Sequence, residues 1–321
     1  VTGAGSAVRP INWEAPMPET ALHPGDLPDV VASERPETLA DALRAAAATL
    51  ARAGVADATV DAELLAAHVR GGGRGEVQAA ALRGDAISEP DAASFASLVE
   101  RRAAREPLQH ITGRAPFRHL ELRVGPGVFV PRPETELLAQ IAIDALRAAA
   151  SPSPIAVDLG TGSGAIALSL ATEVPHARVH AAENSVDAFV WTKENFAEVG
   201  AENARLAFID LAVAFPELDG TVSVLVSNPP YVPDAATPRD PEVRLFDPPA
   251  ALYGGEDGLD VVRTLAQVGL RLVHSGGLIA IEHGELQGAG VRDALAEAGW
   301  HSAATHRDLT LRDRVTTALR P

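Results

Sequence analysis

The 321 residues predict an α/β chain in which a small α-helical domain and a linking β-hairpin precede a mostly parallel sheet with an antiparallel edge strand. Three observations predict it. From residue 155 onward, short β-branched runs alternate with helical patterns; the last two runs, 301–305 and 315–319, read as strands that pair with each other; and 37–106 carries helical spacing alone. Composition bounds the class: 46% apolar and 22% charged residues are ordinary for a water-exposed globular chain. The absence of cysteine excludes disulfides, thiolate metal sites and a cysteine nucleophile, and agrees with a reducing cytoplasm. No apolar run is long enough for a bilayer, and the amino terminus lacks the order of a secretion signal, so a cytoplasmic chain without a membrane partner is expected. With 43 acidic against 27 basic residues the net charge is −16, which repels phosphate backbones; no local basic patch offsets it, and no direct nucleic-acid partner is expected.

Residues 1–36 hold six of the 24 prolines and no period, and are expected to form a disordered leader. Residues 37–106 follow as a helical domain. Leu39, Leu43, Ala46, Ala47 and Leu50 make one stripe that Gly54 ends; 61–69 makes a second helix stopped by Gly71-Gly72-Gly73; and 89–105 makes a third with Phe95, Leu98 and Val99 inward. Gly71 to Gly75 resembles a phosphate loop in composition only and reads as a linker, and His68, beside an apolar face, reads as structural. In the linking segment 107–133, Leu120 to Val124 alternates, Gly125-Pro126-Gly127 reads as a turn, and Val128-Phe129-Val130 reads as the returning strand. Pro133, Glu134 and Glu136 then suit the first turn of a helix, which would hold Arg132 and Glu134 over the mouth of a site.

Two stretches of 134–321 carry chemistry. The strand 155–159, with Asp158, runs into Gly160-Thr161-Gly162-Ser163-Gly164 and a helix; glycines there let the backbone approach a ligand, and the third comes too early for a dinucleotide fingerprint. The next strand ends in Glu183, nineteen residues after Gly164, where a carboxylate can accept two ribose hydroxyls. The strand after that ends in Asp210, either a cap or a contact for an adenine amine. The second stretch is Asn228-Pro229-Pro230-Tyr231, which closes the apolar strand 222–227. Proline cannot continue a ladder, so the chain leaves the sheet at Asn228, at the strand end where open α/β sheets bind ligands. A planar nitrogen, as in an amide or an aromatic amine, is a poor nucleophile. The Asn228 carbonyl and the Pro229 carbonyl can accept its two N–H bonds and leave its lone pair facing an electrophile, with Tyr231 as one wall. By itself the tetrapeptide also fits a Pro-Pro turn in which Asn caps the strand. Strand 278–283, helix 291–298 and the terminal strand pair complete the order.

From about residue 37 to its end the chain resembles the release factor glutamine methyltransferases, the HemK/PrmC family of class I, Rossmann-like methyltransferases. The resemblance rests on Asp61-Ala62-Glu63-Leu64-Leu65, Pro107-Leu108-Gln109-His110-Ile111-Thr112-Gly113, Pro131-Arg132-Pro133-Glu134-Thr135-Glu136 and Asp158-Leu159-Gly160-Thr161-Gly162-Ser163-Gly164. It continues through Ser227-Asn228-Pro229-Pro230-Tyr231, Phe246-Asp247-Pro248, Glu282-His283-Gly284 and Asp308 with Asp313-Arg314-Val315. It implies S-adenosyl-L-methionine as methyl donor, peptide chain release factors as partners, and the glutamine amide of their Gly-Gly-Gln loop as acceptor. On these positions, Asp158 and Gly160 to Gly164 would serve the methionine part of the donor, Glu183 its ribose, and Asp210 with Leu211 its adenine. Asn228, Pro229, Pro230 and Tyr231 would form the catalytic group, with Phe117, Arg132 and Glu134 around the substrate. Two departures stand out: family members often carry Asp at Glu183 and an aromatic residue at Leu211. No metal and no covalent intermediate is implied, and a monomer is expected. A ribosomal-protein glutamine methyltransferase shares the core motifs but differs in the helical domain and linker, and a nucleic-acid adenine-N6 methyltransferase is opposed by the charge. A non-catalytic binding protein would be expected to have lost the glycine loop or Asn228.

Overall fold

Seven strands form the sheet in the order β5-β4-β3-β6-β7-β9-β8. They are β3 (Ile155–Leu159), β4 (Arg178–Glu183), β5 (Ala204–Phe208), β6 (Val222–Ser227), β7 (Val273–Glu282), β8 (His301–Arg307) and β9 (Asp313–Leu319). The first five run parallel and β9 runs antiparallel to β7 and β8, as expected for the class. The computed structural model describes residues 38–321; the leader expected over 1–36 lies outside them. Strand order reverses at β3, which has β4 on one side and β6 on the other. Their carboxyl ends therefore open a crevice between Leu159 and Ser227.

Apolar side chains cover both faces of the sheet. On one, α6 (Glu136–Ala148) and α7 (Ala165–Glu173) pack with Phe117, Leu138, Ile143 and Leu168 buried. On the other, α11 (Asp260–Leu272) and α12 (Gly288–Ala298) bury Val262, Leu265, Leu295 and Trp300 against β6 and β7. Between β4 and β5 lies α8 (Val186–Val199), and the short α9 (Pro241–Phe246) and α10 (Pro249–Leu252) lie in the connection after β6.

The amino-terminal part comprises α1 (Leu39–Arg52), α2 (Ala58–Arg70), α3 (Arg74–Arg83), α4 (Glu89–Ala103) and α5 (Leu108–Thr112) around Leu39, Leu50, Leu65, Phe95 and Ile111. Thr38 and Ser88 cap α1 and α4 through their side-chain oxygens. The linker expected at 71–75 is instead a three-glycine turn followed by α3, whose first turn is closed by the Glu76 carboxylate accepting from the Gly73 N–H at 3.1 Å. Val77 and Ala80 are the buried residues of α3, too few to write a stripe into the sequence.

The hairpin also differs from expectation. β1 (Arg114–Phe117) pairs with β2 (Leu120–Arg123), and the turn falls at Arg118-His119. Arg118 takes φ +52°, which a non-glycine residue resists. It is held there by Glu136, which accepts its N–H at 2.9 Å, and by Glu173, which pairs with its guanidinium at 2.5 and 2.8 Å. Residues 125–130 lie along α8 and form no strand. Trp191 donates to the Pro126 carbonyl at 3.1 Å, and a Cβ on Gly125 would stand 2.4 Å from the Trp191 ring, so this segment is packed by α8 and cannot turn back on β2.

Candidate active site

A cleft of about 440 Å³ opens at the crevice predicted by the strand order, floored by the glycine loop and the end of β6 and roofed by residues from 127–135 and 231–252. The loop is shaped from below. Gly160 and Thr161 donate their N–H groups to the Ala182 carbonyl at 2.9 and 3.0 Å, tying the loop to β4. Gly160, Gly162 and Gly164 take φ of +73°, +57° and +86°, and the space beside the α-carbons of Gly160 and Gly162 is open. Asp158 accepts from the Thr161 hydroxyl at 2.6 Å and from the Ala167 N–H at 3.1 Å. Burial, reinforced by the Glu183 charge and opposed by those two bonds, pushes the Asp158 carboxyl up to about 7. Glu183 accepts the N–H groups of Gly162, Asn184 and Ser185 at 2.8, 3.0 and 2.8 Å, and so joins the end of β4 to the loop.

Asn228 and its prolines stand opposite this loop. The Asn228 amide donates to the Thr135 hydroxyl at 3.3 Å, and Tyr231 packs beside it. Burial, with the Glu282 charge behind it, pushes the Tyr231 phenol up and keeps it neutral. Two glycines hold the turn after β6: a Cβ on Gly254 would stand 2.5 Å from the Pro230 carbonyl oxygen, and one on Gly258 2.2 Å from that of Tyr231. At the mouth, Arg132 lies 5.2 Å over the Phe129 ring and pairs with Asp247 at 2.8 Å, with Glu134 nearby on the cleft wall.

Of the predicted site residues, Gly160, Thr161, Gly162, Ser163, Glu183, Leu211, Arg132, Glu134 and the four residues from Asn228 to Tyr231 meet in this cleft. Four do not. Asp158 is wholly buried beneath the loop, and Gly164 sits behind it as the cap of α7 against Phe196. Asp210 stands outside the lining beside Asn184, which is in it, accepting from the Asn184 amide at 3.0 Å and from the Ala212 N–H at 2.8 Å. Phe117 is 1% exposed in the core with Leu122 and Leu138, because β1 turns it inward; Phe129 is the aromatic residue at the mouth. Sequence reasoning missed Thr135, Glu282 and Asn195. Buried on α8, Asn195 donates to the carbonyls of Ser163 and Arg123 at 2.8 and 3.0 Å and accepts from the Arg123 N–H at 2.7 Å. No local signal marks a helix asparagine as the bolt between the loop and β2.

Chemically, the cleft brings an open glycine loop and the Glu183 carboxylate together with Asn228 and Pro229, each of which carries a carbonyl. That arrangement suits an adenosyl donor and a planar nitrogen. Residues 41–113 match the family described as PrmC N-terminal domain, and residues 120–252 match the methyltransferase small domain. A release factor glutamine methyltransferase of Streptomyces coelicolor is 50% identical over 274 residues, covering 84% of this chain and 93% of that protein. The chain belongs to the release factor glutamine methyltransferase family. A further member, from Mycolicibacterium smegmatis, is 44% identical over 88% of this chain and 98% of its own length. The family's reach is chemical as well as taxonomic. A 4-amino-L-phenylalanine/4-methylamino-L-phenylalanine methyltransferase of Streptomyces pristinaespiralis is 39% identical over 88% of this chain and 95% of that protein.

Proposed function

We propose that the chain transfers a methyl group from S-adenosyl-L-methionine to the side-chain amide nitrogen of the glutamine in the Gly-Gly-Gln loop of peptide chain release factors. The observation that carries this reading is that Asn228 and Pro229 line one cleft with the open glycine loop, in a chain half identical to a relative of that name. The residues present fit the donor: Gly160 and Gly162 leave open space for its methionine part, Glu183 lies at the end of β4 for the ribose, and Leu211 lines the side expected for adenine. When bound, S-adenosyl-L-methionine supplies a methyl group already activated on a sulfonium.

The rest falls to positioning. Asn228 and the Pro229 carbonyl each accept one N–H of the substrate amide, which turns its lone pair toward the methyl. The donor would give up its methyl and remain as the neutral thioether, and the amide so held would release one proton to water. Tyr231, neutral and packed beside Asn228, excludes water from one side. The helical part serves as the recognition domain, acting through α9. Val243 of α9 lines the cleft, while Glu242 beside it is gripped by Arg102 and Arg105. Among the described residues no helix is long and apolar enough to cross a membrane, and we read the chain as a cytoplasmic monomer working where release factors are.

A second acceptor class, a free aromatic amine, is favoured by the relative that methylates 4-amino-L-phenylalanine. Both acceptors present a planar nitrogen. The deciding experiment incubates the protein and donor labelled at the methyl with an unmethylated release factor, a ribosomal-protein fraction, duplex DNA and 4-amino-L-phenylalanine in separate reactions. Label on the Gly-Gly-Gln glutamine is expected; label on another acceptor alone would overturn the substrate.

A further inference from the structure

Glu282 ends β7 and is 1% exposed, outside the cleft lining. The parallel register pairs Ser227 with Ile281, so Asn228 leaves β6 beside Glu282, which is still paired with Val315 of β9. The Glu282 carboxylate faces the side chains of Thr135 and Asn228, yet its Oε2 has no hydrogen-bond partner among the described residues. A carboxylate buried with so few donors is costly, and an apolar residue would fill the same place more cheaply. Its neighbour explains why it is there. An asparagine amide has two ends of nearly equal shape, and rotation exchanges an acceptor for a donor. With Nδ2 toward the cleft, Asn228 would repel the substrate N–H it has to accept.

We infer that Glu282 is a positioning residue, which with Thr135 engages the Nδ2 donors of Asn228 from behind and thereby presents Oδ1 to the cleft. This rests on the reading that Asn228 accepts a substrate N–H. The charged carboxylate offers acceptors on both oxygens, whereas a protonated one keeps one acceptor and adds an O–H donor that attracts Oδ1, so the charge favours the amide held this way. The charged and titratable groups facing Glu282 are Arg314 from β9, which favours the charge, and Glu134 and Tyr231, which oppose it. Arg314 is itself occupied by Asp308 at 3.2 Å. His283, next in the chain, is kept neutral by burial and is bound to Thr316 and to the Gly284 carbonyl. Burial lifts Glu282 to about 7, so this hold on the amide weakens as pH falls below neutrality.

The test needs two readouts. In the ¹⁵N-labelled full chain, the Asn228 side-chain amide pair is identified by its loss in Asn228→Asp and followed from about pH 5.5 to about pH 8.5. It is expected to move with a midpoint near neutrality, and to stop moving in Glu282→Gln. In methyl transfer to a release factor, Glu282→Gln is expected to lower kcat roughly ten- to hundredfold and to abolish the acid limb of its pH profile, with the donor KM within about twofold of native. Glu282→Asp should restore part of the rate together with the acid limb. An Asn228 pair indifferent to pH in the native chain, a Glu282→Gln variant with native kcat, or a loss of kcat matched by an equal loss of donor affinity each overturns the inference. A native chain whose Asn228 pair titrates through Glu282 but which leaves the release factor unlabelled supports the coupling and removes the substrate reading alone.

Discussion

Arg102, in α4 of the helical part, places its Nη1 2.8 Å from Oε1 of Glu242, the second residue of α9 in the catalytic part. Each side chain is 9% exposed, and Arg102 also holds Asp61 of α2 at 2.7 Å. Arg105 takes the other oxygen of Glu242 at 2.5 Å. One carboxylate thus clasps the amino-terminal helices to the segment that walls the cleft.

Removing that carboxylate leaves two guanidiniums short of their partner. Glu242→Ala is expected to cost about 3 kcal/mol, read by urea denaturation, because a buried charge that loses its counter-charge keeps its desolvation penalty. Native stability in this variant would show the clasp to be incidental.

Asn228→Ala removes an acceptor needed only when the substrate nitrogen is aligned. Turnover should fall by about two to three decades while donor affinity stays near native. Single-turnover rates and calorimetric titration of the donor separate the two, and near-native turnover would refute the role given to Asn228.

Gly254 lies against the turn that carries the acceptors. In Gly254→Ala the new methyl would stand 2.5 Å from the Pro230 carbonyl oxygen and 2.8 Å from that of Gly258, both backbone atoms that can yield only by moving the turn. At least about a tenfold loss of kcat is expected. Donor affinity should be spared, since the glycine loop lies on the far side of the cleft.

Asp158 and Glu282 should each lower stability as pH rises from about 5 to about 8, while His110, His180 and His283, whose pKa values burial lowers, act the other way. Asp158 and Glu282 would lose their protons near pH 4 when unfolded, whereas burial holds both folded carboxyls near 7. Between those values the folded chain binds the more protons at these two groups, so raising pH favours unfolding through them, by about 1.4 kcal/mol for each unit of pKa difference. Denaturation of the native chain and of Glu282→Gln across this range should show the smaller slope in the variant, and equal slopes would refute the account.

Much of this architecture follows from local chemistry. Proline cannot continue a ladder, so Asn228-Pro229-Pro230-Tyr231 had to leave the sheet at the end of β6. The alternation of β-branched runs with helical stripes from β3 to α12 left a mostly parallel sheet as its reading, and the glycines after β3 had to make a turn open to a ligand. The family, too, is legible in motifs that are contiguous along the chain. What residues far apart do to one another was not legible. Arg118 turns the hairpin against its own backbone preference because Glu136 and Glu173 hold it, and the glycines at 125 and 127, which read as the turn, are pressed against Trp191 and Asp187 of α8. Phe117 goes to the core because the register of β1 on β2 decides which face it meets, and Phe129 reaches the mouth from the segment packed along α8. Asn195 carries no signal of its own, and Thr135 and Glu282 stand in motifs of the family that do not by themselves reveal what either side chain does. Each matters through a partner 32 to 147 positions away, Thr135 and Glu282 across the site and Asn195 behind the glycine loop, and only the packing of the whole sheet brings such pairs within hydrogen-bonding reach.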